Sequence, residues 1–117
     1  MAMHEIIIPD WHPSPLNKLV NSHWAVAHKM KNRDKVEVRY ASNHIPKATT
    51  KRRVELVIEL GKGQRACDPD AYFKSLGDAL TACGLLVNDS HKWVEWSPVQ
   101  YVRGKKKTTI KLYDCTN

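Results

Sequence analysis

The chain has 117 residues, a net charge of +7 and a pI near 9.5, with 42% hydrophobic and 26% charged residues. That composition describes one globular domain with enough apolar material for a core, and it excludes a disordered chain. No apolar run approaches the ~18 residues of a membrane span, and the three cysteines form no CxxC pair, which excludes a disulfide framework or a cysteine-rich zinc site. The opening MAMHEIIIPDW lacks a basic n-region, so it is not read as a signal peptide. Free thiols fit a reducing cytoplasm. The basic excess predicts attraction to a polyanion, most often nucleic acid.

Residues 3–8 read as a first strand, rich in β-branched side chains. Pro9 to Asn21, with three prolines, reads as a loop. Residues 22–43 read as a long polar helix capped by Ser22, with the basic set Lys29, Lys31, Arg33, Lys35 and Arg39. Its apolar positions, Trp24, Ala27, Met30, Val38 and Ala41, follow helical spacing only loosely. Residues 52–60 alternate as a strand, with Val54, Leu56, Ile58 and Leu60 on one face. Residues 69–83 form a second helix ended by Gly84, with Phe73, Leu76, Leu80 and Cys83 as its buried stripe. Residues 93–102 and 107–113 are expected to pair antiparallel across Arg103–Lys106. The expected fold is α+β, a small mixed β-sheet with two main helices in the order β-α-β-α-β-β. The tryptophans are core or interface candidates, and strand 93–102 is a candidate dimer interface. Lys51–Arg52–Arg53 and Lys105–Lys106–Lys107 read as solvated charge runs, with phosphate contact as the functional option.

Four of the 12 acidic residues fall between Asp68 and Asp89. Asp70, Lys74 and Asp78 are spaced to share one face of the second helix. Asp68 before Pro69 has an ordinary reading as an N-cap, and Asp70 as a first-turn carboxylate facing the positive helix end. Asn88–Asp89–Ser90 likewise reads as a turn. As a set they say more: Leu85–Leu86–Val87 can carry Asp89 back towards the start of the helix. Asp68, Asp70 and Asp89 could then converge as an oxygen-only site suited to Mg²⁺ or Mn²⁺. Lys74, one turn from Asp70, would hold a phosphate or stabilise its developing charge.

These residues resemble the RusA-type Holliday junction resolvases of phages and prophages. Asp68–Pro69–Asp70 resembles the family's first acidic pair, Lys74 its lysine, Asp78–Ala79–Leu80 its helix segment, Gly84 its glycine, and Asn88–Asp89 its final acidic pair. Pro13–Ser14–Pro15–Leu16–Asn17 is similar to the family's loop after strand one, and His23–Trp24–Ala25 precedes a similar basic helix. Two positions depart: Ala71 stands for an asparagine and Asn88 for an aspartate. The resemblance implies catalytic Asp68, Asp70, Asp89 and Lys74, with the three aspartates as metal ligands. It implies a homodimeric, Mg²⁺-dependent endodeoxyribonuclease that cuts two opposed strands of a four-way DNA junction. Candidate DNA contacts are Asn17, His23, Lys29, Lys31, Arg33 and Lys35. The competing classes are a non-catalytic nucleic-acid-binding protein and a metal-dependent nuclease for other branched DNA or RNA.

Overall fold

A computed structural model describes residues 3–14, 23–67 and 69–115. Among them the chain runs β1 (Met3–Pro9), α1 (Trp24–Ser42), β2 (Arg52–Leu60), α2 (Pro69–Ala82), β3 (Val94–Trp96), β4 (Gln100–Arg103) and β5 (Lys107–Asp114). The fold is α+β, with two helices and a mixed five-stranded sheet among the described residues.

β2 organises the molecule because its alternation is strict. Val54, Leu56, Ile58 and Leu60 are all buried, and the residues between them are only half-buried. β5 pairs antiparallel along nearly all of β2, and β1 pairs antiparallel with β5. Ile6, Ile8, Ile110 and Leu112 extend the same apolar face. Tyr72, Leu76, Ala79 and Leu80 of α2 and Val38 of α1 complete the core. The opposite face is polar: the Arg53 guanidinium lies 4.4 Å from the centre of the Tyr113 ring, and the Tyr113 hydroxyl donates to Glu55 at 3.0 Å.

The expected antiparallel pairing of 93–102 with 107–113 does not form. β3 and β4 both run parallel to β2 along one edge, and β5 lies on β2's other side. Alternation identifies a strand but not its partner. Pro98 lies in the gap between β3 and β4, where a residue lacking an N–H cannot donate to a ladder. Beyond β4 the chain crosses the end of β2: Gly104 N–H donates to the Leu60 carbonyl at 3.0 Å, and Asp10 N–H to the Lys106 carbonyl at 2.8 Å. That crossing delivers β5 to the far side. In the 93–102 segment Val94 is buried and the Trp96 ring is stacked on Phe73 at 4.6 Å, while Val102 is exposed.

Helix ends follow local chemistry. Ser22, the expected cap of α1, lies outside the described residues. His23 occupies the N-cap, its ring nitrogen accepting from Ala25 N–H at 3.3 Å. Trp24 is 75% exposed and is not a core residue. α2 ends as the sequence indicates, with Gly84 at φ +77° and Leu85 N–H donating to the Leu80 carbonyl at 2.9 Å.

The Lys51–Arg52–Arg53 run is not a solvated face. Arg52 is in register with Val54 and Leu56, so its side chain points into the core and is 2% exposed. Its guanidinium donates to the Asp114 carboxylate at 2.6 Å and to the Leu85 and Pro46 carbonyls at 3.0 Å each. No described helix is long and apolar enough to cross a membrane.

Candidate carboxylate site

α2 presents the acidic ridge as its spacing indicates, and the segment after Gly84 turns back along it. Asp89 comes to rest beside Gly77: a Cβ on that glycine would stand 3.3 Å from the Asp89 Cβ and 3.4 Å from the Trp96 ring. Glycine inside a helix costs up to about 1 kcal/mol relative to alanine. Here it opens the space that Asp89 and Trp96 share. Gly77 was not singled out as a site residue, although a glycine within an otherwise helical pattern is a signal of close packing.

Lys74 lies between two carboxylates. Its Nζ is 3.5 Å from Asp78 Oδ1 and 3.7 Å from Asp89 Oδ2. The lysine therefore pairs with Asp78 and Asp89. Asp70 is exposed in the first turn of α2. Asp89 returns only as far as the middle of the helix, about 10 Å of helix rise from Asp70 at 1.5 Å per residue. Asp68 lies outside the described residues. Among the described residues no three His, Cys, Asp or Glu side chains stand close enough to hold a metal ion. Asn88 has a local role: its side-chain oxygen accepts from Ser90 N–H at 2.9 Å and holds the turn that carries Asp89.

The basic helix closes on this ridge. A cleft of about 340 Å³ is lined by Lys31 and Lys35 from α1 and by Asp78, Thr81, Ala82 and Asp89. The Thr81 hydroxyl in it is buried without a hydrogen-bond partner among the described residues. Lys29 and His23 are exposed elsewhere on or beside α1. Arg33 instead lines a second cavity, of about 410 Å³, with His12, Asp34, Arg65, Tyr72 and Lys106. Asn17 lies outside the described residues.

The second cavity has a buried polar floor that sequence reading did not find. Asp34 is 2% exposed and accepts from the backbone N–H and the hydroxyl of Ser14 at 3.1 and 3.2 Å. Burial pushes its carboxyl above the usual range, against the lowering effect of the Ser14 and Trp11 hydrogen bonds and Arg33. Burial lowers the His12 imidazole, opposed by its 2.7 Å contact with the Glu59 carbonyl and reinforced by Lys106. Burial also raises the Tyr72 phenol.

Chemically, the carboxylate site offers hard oxygen donors, an ammonium held at their edge, and a cationic rim. Replacing Gly77 with Ala is expected to push Asp89 aside by a few tenths of an ångström. Any activity that depends on the placement of the Asp89 carboxylate should then fall about tenfold, since misplacement by 1 Å costs on the order of 10²-fold. Thermal melting should move by only a few degrees, because the gain in helix propensity offsets the crowding. Rates and melting curves on the same preparation test this.

Compared with known protein families and with curated proteins, the chain matches none.

Proposed function

We infer that the protein is a Mg²⁺-dependent endodeoxyribonuclease acting on branched DNA, four-way junctions above all, as a homodimer. The single observation carrying this reading is the seating of Asp89 against Gly77, beside Lys74 and Asp78, across a cleft from Lys31 and Lys35. It sets Asp89 and Asp78 together beside Lys74 and beside cations of a separate helix. The resemblance of residues 68–89 to the RusA-type pattern gives that arrangement its chemistry.

Every candidate ligand is a carboxylate, the oxygen chemistry a hard divalent cation takes, but Asp70 and Asp89 stand about 10 Å of helix rise apart. By the resemblance, Asp68, Asp70 and Asp89 would be its ligands. When bound, the ion supplies charge neutralisation at the phosphate and a more acidic water. The remaining work belongs to the side chains. Lys74 carries a positive charge at the edge of the carboxylates and is 57% exposed, so it can meet a phosphate oxygen entering from solvent. Lys31 and Lys35 draw the DNA backbone along α1 and offset its repulsion from the aspartates. A two-fold dimer would present two such sites to the two related strands of a junction.

Incubating the protein with a labelled four-way junction, plain duplex and RNA, with and without Mg²⁺, tests the reading. Paired, metal-dependent nicks in the junction are expected. Tight binding without cleavage under any divalent cation would leave a non-catalytic nucleic-acid-binding protein, and cleavage of RNA or other branched DNA alone would reassign the substrate.

Charge reversal at Lys31 and Lys35 is expected to weaken junction binding and to reduce the slope of log affinity against log salt by roughly 2. Anisotropy titrations across a salt series measure it. An unchanged slope removes α1 from the interface.

A further inference from the structure

The far end of the sheet carries a second basic surface, remote from α1 in sequence and built from turns. A groove of about 640 Å³ there is lined by Glu59, Gly61, Lys62 and the turn Gly104–Lys107, with Pro9 and Asp10 at its edge. A solvated charge run has its lysines on a loose loop. These turns are latched at every step. Arg103 Nη1 donates to the Gln64 carbonyl at 2.6 Å and the Gly61 carbonyl at 3.4 Å. Gly61 N–H donates to the Gln64 side-chain oxygen at 2.7 Å. Lys105 N–H donates to the Glu59 carboxylate at 2.8 Å, and Asp10 N–H ties down the Lys106 carbonyl.

Of the two acids on this surface, Asp10 at the edge and Glu59, Glu59 is already engaged, by the Lys105 amide at 2.8 Å and by Lys107 Nζ at 3.4 Å. Lys62, Lys105 and Lys106 have no carboxylate partner among the described residues. Gly104 fits the arrangement for a steric reason: a Cβ there would collide with the Glu59 carboxylate.

We propose that Lys62, Lys105 and Lys106 form a preorganised grip for the phosphate backbone of a duplex arm, separate from the α1 track at the carboxylates. The choice of nucleic acid as the polyanion rests on the nuclease reading. Position supports it. The Tyr101 hydroxyl donates to the Cys67 carbonyl at 2.6 Å, which ties the approach to α2 to β4, the strand that leads into the lysine turn. One basic track runs along α1 and the other over the sheet end, where Lys106 also lines the cavity that Arg33 of α1 enters. Lysines act as point charges on phosphates and need no base contact. Fixing their backbone beforehand lowers the ordering cost of binding.

The test is binding in EDTA, by anisotropy, of four-way junctions whose arms span one or two helical turns. The K62Q/K105Q/K106Q variant is expected to lose affinity for the long-armed junction, with its salt slope reduced by about 2–3. It should bind the short-armed junction like wild type, and saturated single-turnover cleavage should be unchanged. Gly104→Ala, with the charge intact, should also weaken long-arm binding. A control, K51Q/K92Q, lowers the charge at the opposite end of β2 and should leave the slope close to that of wild type. Equal losses in the control, no dependence on arm length, or full affinity in Gly104→Ala would each overturn the grip. If wild type cleaves but the triple variant binds normally, the grip fails alone. If wild type never cleaves while the slope effect holds, the grip stands and the nuclease reading falls.

Discussion

Asp70→Asn is expected to lose junction cleavage by ~10³-fold or more, since each ~1.4 kcal/mol of lost transition-state stabilisation is tenfold in rate and a metal supplies several. Junction binding should stay at wild-type strength or tighten, because one negative charge facing the DNA backbone is gone. The substitution isolates chemistry from folding unusually well. Asp70 is exposed, and Lys74 pairs with Asp78 and Asp89 instead. Its contribution to the fold is therefore a first-turn helix-dipole effect of about 0.3–1 kcal/mol. Mixed dimers sharpen the measurement. On a supercoiled plasmid that extrudes a cruciform, wild-type pairs should give linear product, and wild-type/Asp70→Asn pairs nicked circles. Cleavage by the pure variant at near wild-type rate would remove Asp70 from the site.

Arg52→Leu should be the most damaging single change to the fold. It removes the partner of a half-buried carboxylate and of two carbonyls, which breaks an ion pair buried on the Arg52 side and costs about 3–5 kcal/mol. A melting temperature lower by roughly 10–20 °C follows at about 4 °C per kcal/mol for a domain of this size. The pH dependence gives a second readout. Burial disfavours the charged form of Asp114, but the Arg52 hydrogen bond and charge, with His4, outweigh it and hold the carboxyl below the usual range. A group whose folded pKa is depressed stabilises the fold above its unfolded pKa and loses that contribution as pH falls through its folded value. Wild type should thus lose stability across that acid window, and Arg52→Leu should show a flatter profile there. Melting curves at stepped pH would decide it: equal slopes for the two proteins would exclude the Arg52–Asp114 pair as the cause.

The parts of the fold governed by periodicity were legible in sequence. β2 matches its expected bounds and inward face, and α2 has its start and stop where the spacing puts them, with Leu76, Leu80 and Cys83 buried, Phe73 half-buried and Tyr72 buried in its stead. Pairing was not legible, because alternation is the same whether β5 lies beside β4 or beside β2. The crossing over β2's end depends on hydrogen bonds from Gly104 and Asp10 that no local pattern announces. Arg52 was misread for a related reason. Its neighbours Lys51 and Arg53 suggest a charged surface, yet the period of two assigns it to the core face. At the site, the acidic spacing indicated that Asp89 returns to α2. The stopping point depends on Gly77 and Trp96, the latter nearly twenty residues downstream, and on the choice Lys74 makes among three carboxylates.

The position of β5 also bears on synthesis. Among the described strands β1 is translated first and β5 last, and the two are ladder partners. At about 5–20 residues per second, β1 waits on the order of ten seconds for that partner to be made. Until then its edge, with Ile7 on one face and Ile6 and Ile8 on the other, has no native strand beside it. The same gap leaves one side of β2 open. Completion of the sheet is therefore a late, long-range closure, which slows folding and extends the period in which two nascent chains can pair through bare strand edges.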